Sequence, residues 1–204
     1  TVGDNTARAS GVIASAGGAG IWTKVATQDI TTNTATIDFT TLSTDYKDFK
    51  LIGSGIKADS NSVHLYVRVA VAGSFITSGT DYQSGTGGWD IANDGMAGWG
   101  DDTNSRFRMS AGYNNATIGN STGYASRFEF TIADVHDTTL WKYANWESCF
   151  TMNAPAAQNT DTQGSVGFGS YGSGATAAVD GLRFYFSSGD VAEGNFILYG
   201  RSVT

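Results

Sequence analysis

The stretch SVHLYVRVAVA, residues 62 to 72, constrains the fold more than any other part of the chain. Val63, Leu65, Val67, Val69 and Val71 fall on one side of an extended backbone, and His64, Tyr66 and Arg68 fall on the other. That is the period of two of a strand with one apolar face. SRFEFTIA repeats it, with Phe128, Phe130 and Ile132 inward and Arg127, Glu129 and Thr131 outward. A slip of one residue in pairing would exchange both faces. Further strands are predicted over 21 to 27, 34 to 39, 48 to 56, 104 to 113, 141 to 152, 163 to 171, 179 to 187 and 195 to 203. The 27 glycines, single proline and 12 Lys plus Arg against 19 Asp plus Glu suit strands joined by tight turns. The expectation is therefore all-β: a two-sheet antiparallel sandwich, jelly-roll-like, with extra edge strands. In GLRFYFSSGDVAEGNFILYG, residues 181 to 200, Leu182, Phe184 and Phe186 form one face and Phe196 and Leu198 resume it beyond Gly189 and Gly194. That pattern predicts a structural closing hairpin rather than a binding site.

Residues 1 to 20, TVGDNTARASGVIASAGGAG, lack periodicity, and their small residues cannot offset the entropy of ordering. They are expected to form an extended N-terminal arm on a single β-sandwich domain spanning 21 to 204, docked along that domain or on a neighbouring subunit. The net charge of −7, with no run of Lys or Arg, removes the term that drives most nucleic-acid binding, so no nucleic-acid partner is expected. Cys149 is the sole cysteine, which leaves no internal disulfide and no Cys/His zinc spacing. No run approaches the ~20 apolar residues of a membrane helix, and no basic-then-apolar leader opens the chain, so a soluble chain without a membrane partner or export signal is expected.

Two strings imitate catalytic motifs. Gly119, Ser121 and Gly123 spell G-x-S-x-G, and Gly167, Gly169 and Gly172 spell G-x-G-x-x-G, but both need a helix afterwards and each is followed by a predicted strand. His64 and His136 are expected at the surface. Glu129 and Glu147 are expected to point outward with nothing pairing them as a glycosidase would require. The chain is therefore expected not to be an enzyme and to hold no cofactor. Residues 84 to 103, SGTGGWDIANDGMAGWGDDT, and 153 to 162 are predicted loops. In the first, Trp89 and Trp99 offer flat faces for sugars and Asp90 and Asp94, with Asp101 and Asp102, offer hard oxygens. The spacing matches no 12-residue calcium loop and such residues also close turns, so no metal is assigned, while Trp89, Asp90, Asp94 and Trp99 stand as a candidate glycan-binding set. Trp141 and Trp146, five apart, are expected on opposite faces of one strand.

TATIDFTTLSTDYKDFKLIGSGIKADSNSVHLYVRV, residues 34 to 69, resembles a pattern of tailed-bacteriophage virion proteins. An IDFT-x-L strand leads there to a tyrosine-containing turn, an F-K-L strand and a long strand ending in arginine. SGTDY at 78 to 82 continues the likeness, and VDGLRFYFSSGDVAEGNFILYGRSV at 179 to 203 is similar to the closing element. The resemblance spans both ends of the chain and not residues 84 to 175. It implies a capsid decoration (cement) protein, a head fibre or a tail-fibre domain, built as a β-sandwich and assembling as a trimer. The absence of coiled coil, repeats or shaft favours a capsid-surface decoration protein that stabilises the shell, with the major capsid protein and copies of itself as partners. Val12, Ile13, Ile21 and Trp22 would then be the apolar anchors of the arm. The alternatives are a receptor-binding domain of a fibre or spike that contacts a surface glycan, and a carbohydrate-binding module.

Overall fold

The computed structural model describes residues 20–90, 95–110, 117–152, 162–172 and 176–202. In chain order the strands are β1 (Trp22–Ile30), β2 (Ile37–Phe39), β3 (Asp48–Ala58), β4 (Leu65–Val71), β5 (Ser74–Phe75), β6 (Tyr82–Asp90) and β7 (Gly95–Asn104). They continue as β8 (Phe107–Arg108), β9 (Ser126–Ile132), β10 (Lys142–Thr151), β11 (Thr162–Tyr171), β12 (Gly181–Phe186) and β13 (Val191–Arg201). Every pairing is antiparallel. An eight-stranded sheet runs β1-β13-β3-β9-β10-β11-β6-β7, and a smaller sheet runs β2-β12-β4-β5 with β8 also on β4. No described segment is helical, and the fold is the expected all-β sandwich.

The core lies between the sheets and is built from the alternating positions. Leu65, Val67 and Val69 of β4 and Phe128, Phe130 and Ile132 of β9 are fully buried. Phe128 stacks on Phe184 across the gap at 4.9 Å, and Phe184 meets Phe196 at 5.0 Å. Each such ring contributes roughly 1.5–3 kcal/mol by leaving water. Trp146 is buried against Phe107 and Phe130 while Trp141 is exposed, as their spacing requires. Small hydroxyls stitch the short β8 segment into place: Thr86 donates to the Arg108 carbonyl at 2.6 Å and Ser148 to that of Met109 at 2.8 Å.

The structure corrects several expectations. β12 and β13 lie in different sheets, so residues 181 to 200 form an arch across the sandwich rather than a hairpin. Their apolar faces match because they face each other through the core. The stretch 84 to 103 is not a loop: its ends pair as β6 and β7 through Thr86↔Trp99 and Gly87↔Gly98. Glycine hid the periodicity there, because three of the nine residues of β6 and three of the ten of β7 have no side chain to classify. Of predicted strand 104 to 113, Asn104 ends β7, Phe107–Arg108 forms β8, and residues 111 to 113 lie outside the described residues; strand 34 to 39 is shortened to Ile37–Phe39. Residues 153 to 161 of the second predicted loop lie outside the described residues, and Thr162 already belongs to β11. On the polar face of β4, Tyr66 is only 7% exposed, with the Arg106 guanidinium over its ring at 4.2 Å and the Tyr185 ring beside it.

Candidate functional site

Alternation in β6, β7, β10 and β11 sends one row of side chains into the core and the other onto the outer face of the large sheet. The outward row on β10 and β11 includes Tyr143 and Phe168, exposed at 64% and 75%. Asn145 stands directly opposite Phe168, and Gly85 of β6 lies on its other side. Gly85 pairs with Gly100 and Gly87 with Gly98, so β6 and β7 place a two-by-two block of glycines on the same face. Val166, Trp89 and Met96, all exposed, frame the block with Phe168. A groove of about 900 Å³ opens beside Phe168 and Tyr143, with Gln83 and Asn145 at its sides, and none of its lining residues carries a formal charge.

The glycines divide by face in a way that packing alone does not explain. Inward, a Cβ on Gly167 would lie 2.4 Å from the Trp146 indole, and one on Gly169 2.4 Å from the Gln83 carbonyl oxygen. Those two positions exclude any side chain. Outward, a Cβ on Gly87 would meet nothing within 4 Å, and at Gly85, Gly98 and Gly100 the nearest atoms lie between 3.8 and 4.0 Å. None of the four has a backbone conformation that demands glycine. Glycine weakens a strand interior and marks places where a ligand or another backbone approaches closely. Here the space above the glycines is open on the outer side of the sheet.

The two tryptophans of the expected glycan-binding set are placed on opposite faces. Trp89 is outward and 47% exposed at the edge of the glycine floor, whereas Trp99, opposite the buried Thr86, faces the other side and lies under the Arg108 guanidinium at 4.8 Å. Asp90 closes β6, and Asp94 lies outside the described residues. Val12 and Ile13 of the arm also lie outside them. Ile21 is 53% exposed, while Trp22 is half-buried in β1 between the Lys50 ammonium at 5.0 Å and the Arg201 guanidinium at 5.2 Å, a member of the sheet face rather than a loose anchor. Tyr143, Phe168 and the four glycines escaped sequence reasoning. Their signal was glycine at a spacing of two, Gly85 with Gly87 and Gly98 with Gly100, which is a strand with one bare face.

The glutamates and histidines weighed in the sequence have local partners. Glu129 and Glu147 do stand directly opposite each other on β9 and β10, contrary to expectation, and Arg127 and Lys50 neutralise them. Both histidines are half-buried rather than on the surface: His136 contacts the Ser43 carbonyl at 3.1 Å, and His64 lies against Arg108. Burial first, then the positive charges of Arg108 and Arg106, push the His64 pKa down to about 4. Ser121 sits in a turn that leads into β9, and Gly167 and Gly169 lie within β11. Among the described residues no three His, Cys, Asp or Glu side chains cluster to hold a metal ion, and no helix is long and apolar enough to cross a membrane.

No family model matches the chain and no curated protein does. Among solved structures, the CBM2 module of the evolved Dit of Lactobacillus casei BL23 phage J-1 is 6% identical over 92% of this chain and 82% of that one, with a TM-score of 0.23. A putative pore-forming toxin from Bacteroides vulgatus is 8% identical over 83% and 62%, with a TM-score of 0.11. The VP2 subviral particle of infectious bursal disease virus is 9% identical over 90% and 36%, with a TM-score of 0.11. Overlaps this loose carry no argument about ligand or partner.

Proposed function

We propose that the chain is a non-catalytic glycan-binding module of a tailed-phage virion, and that a neutral saccharide lies on the bare face of β6 and β7. The observation that carries this reading is the set of outward glycines with open space above them, set against inward glycines that crowding makes obligatory. A sugar ring has apolar C–H faces and a polar edge. Phe168 and Tyr143 supply π faces for the first, and the amides of Gln83 and Asn145 supply both donors and acceptors for the second. The uncharged lining selects against ionic ligands, which would be desolvated there without a counter-charge. The test is affinity electrophoresis of the full chain through gels containing dextran, mannan, xylan or laminarin. Phe168→Ala should abolish retardation by the polysaccharide that binds the parent protein, with Tm unchanged because the ring is mostly in water. Retardation by none of a broad panel of neutral glycans, or full retardation of the variant, would refute the reading.

Placement on the capsid surface, with the major capsid protein as partner, is compatible with this face. The Gly20 amide donates to the Ser202 carbonyl at 2.9 Å, which fixes the start of β1 at one edge of the large sheet. The glycine floor on β6 and β7 sits six to seven strand spacings away along the sheet, roughly 29–34 Å at about 4.8 Å per spacing. An arm that grips a shell at one edge would leave the floor facing outward at the other. Removing residues 1–19 should then abolish capsid attachment and preserve glycan binding, read by gradient separation of heads and quantitative mass spectrometry. Light scattering on the purified chain tests the expected homotrimer.

A further inference from the structure

The outer face of the small sheet collects positive charge that the acidic sequence conceals. Four of the seven arginines, Arg68, Arg106, Arg108 and Arg183, project there from β4, from β8 and its approach, and from β12. Arg183 and Arg68 are direct cross-strand neighbours, an arrangement that like charges disfavour. Arg183 is compensated by a bidentate pair with Asp38, at 2.7 and 2.6 Å. Arg68 and Arg106 form no ion pair with a described carboxylate. Arg68 stacks over the Tyr185 ring at 4.7 Å and donates through Nε to the Ser105 carbonyl. Arg106 stacks over Tyr66 at 4.2 Å and donates to Ser105 Oγ and Tyr66 Oη. The two tyrosine rings touch each other at 5.4 Å, so the two guanidiniums ride on one aromatic pair. Two buried polar atoms of this group, Tyr185 Oη and Arg106 Nε–H, have no hydrogen-bond partner among the described residues.

We propose that Arg68, Arg106 and Tyr185 form a binding site for one oxyanion substituent, a sulfate or carboxylate group carried on an acidic saccharide. Such a group offers the acceptors that these donors lack and the negative charge that two adjacent guanidiniums require. Stacking on Tyr66 and Tyr185 holds both guanidinium planes before the ligand arrives, which lowers the ordering cost of binding. A nucleic acid fits less well. The faces of Tyr66 and Tyr185 are occupied by arginine and cannot stack bases, and a chain of net charge −7 repels an extended polyanion. His64, neutral at pH 7, adds no charge to the face. The site is separate from the glycine floor and stands without it.

The test is a titration of the full ¹⁵N-labelled chain with sodium sulfate, ionic strength being held constant with sodium chloride, read on the arginine Nε–H resonances. Saturable shifts are expected at Arg68 and Arg106 and not at Arg127 or Arg201, which are paired with carboxylates. Glucose 6-sulfate should bind at least tenfold more tightly than inorganic sulfate. Equal affinity would overturn the saccharide assignment, as would a tetrathymidylate that displaces the sugar sulfate at lower concentration. Arg106→Gln should weaken binding at least tenfold. Tyr185→Phe, which keeps the ring and so keeps the fold, should weaken it several-fold. The absence of saturation, or unchanged binding in both variants, would overturn the site itself.

Discussion

Gly87→Val and Gly167→Ala differ by one face of one sheet and should behave in opposite ways. At Gly87 a Cβ meets nothing within 4 Å, so valine enters open space in an already extended backbone. Replacing a strand glycine by a β-branched residue gains about 1 kcal/mol in strand preference and restricts the unfolded chain by a further ~0.4–1 kcal/mol. For a chain of this size each kcal/mol shifts Tm by about 2–4 °C, so Gly87→Val should raise Tm by roughly 3–8 °C. At Gly167 the added methyl would lie 2.4 Å from a Trp146 ring that is itself only 3% exposed and packed on Phe107 and Phe130. Overpacking of that kind costs about 1–3 kcal/mol, and Tm should fall by roughly 2–12 °C. The assay is calorimetry of both variants beside affinity electrophoresis on the polysaccharide that binds the parent. Gly87→Val should be the more stable protein and the one that has lost its ligand. A destabilised Gly87→Val would refute the claim that the floor is open. A stabilised variant that binds normally would refute the claim that the opening serves a saccharide.

Three further outcomes follow from groups outside the floor. His64 has a folded-state pKa of about 4, below its ordinary 6.5; between those values the unfolded chain takes up a proton that the folded chain refuses, so stability falls as pH falls through that window. The full shift corresponds to a loss on the order of 3 kcal/mol, an upper bound for a half-buried ring, and His64→Gln should show a smaller drop in Tm between pH 7 and pH 4 than the parent. Asp48 is buried, accepts two hydrogen bonds from Arg201 at 3.0 and 2.6 Å, and accepts a third from the Asp134 amide at 3.0 Å. Asp48→Ala orphans that amide and should cost about 2–3 kcal/mol by denaturant unfolding, with Asp48→Asn losing less. Lys142, 1% exposed, donates its ammonium to the carbonyls of Asp137 and Leu140; Lys142→Met should cost about 1–2 kcal/mol and speed amide exchange at Thr139 and Leu140.

Much of the framework was legible because burial on one side writes a period of two into a strand. β4, β9, β10 and β12 lie where alternating hydrophobics predict them, and the inward members of SRFEFTIA are the residues found in the core. The hairpin of β6 and β7 was illegible for the complementary reason: glycine contributes to the backbone ladder and nothing to a hydrophobic pattern, so a strand with a bare face resembles a loop. The partition of β12 and β13 between two sheets was also hidden. Local sequence sets which side of a strand is apolar, while the strand beside which it lies depends on contacts distant along the chain.

The sequence alone therefore determined an all-β sandwich, the inward faces of its regular strands, and an acidic chain without a linear basic segment. Tertiary structure decided the rest. It laid Gly85, Gly87, Gly98 and Gly100 side by side as one surface beside Phe168, and it set Trp89 and Trp99 on opposite faces. It also drew arginines as distant as Arg68 and Arg183 into cross-strand contact. Both candidate sites are properties of sheet faces. A face is assembled from strands whose neighbours are chosen by packing across the core, which no single stretch of sequence encodes.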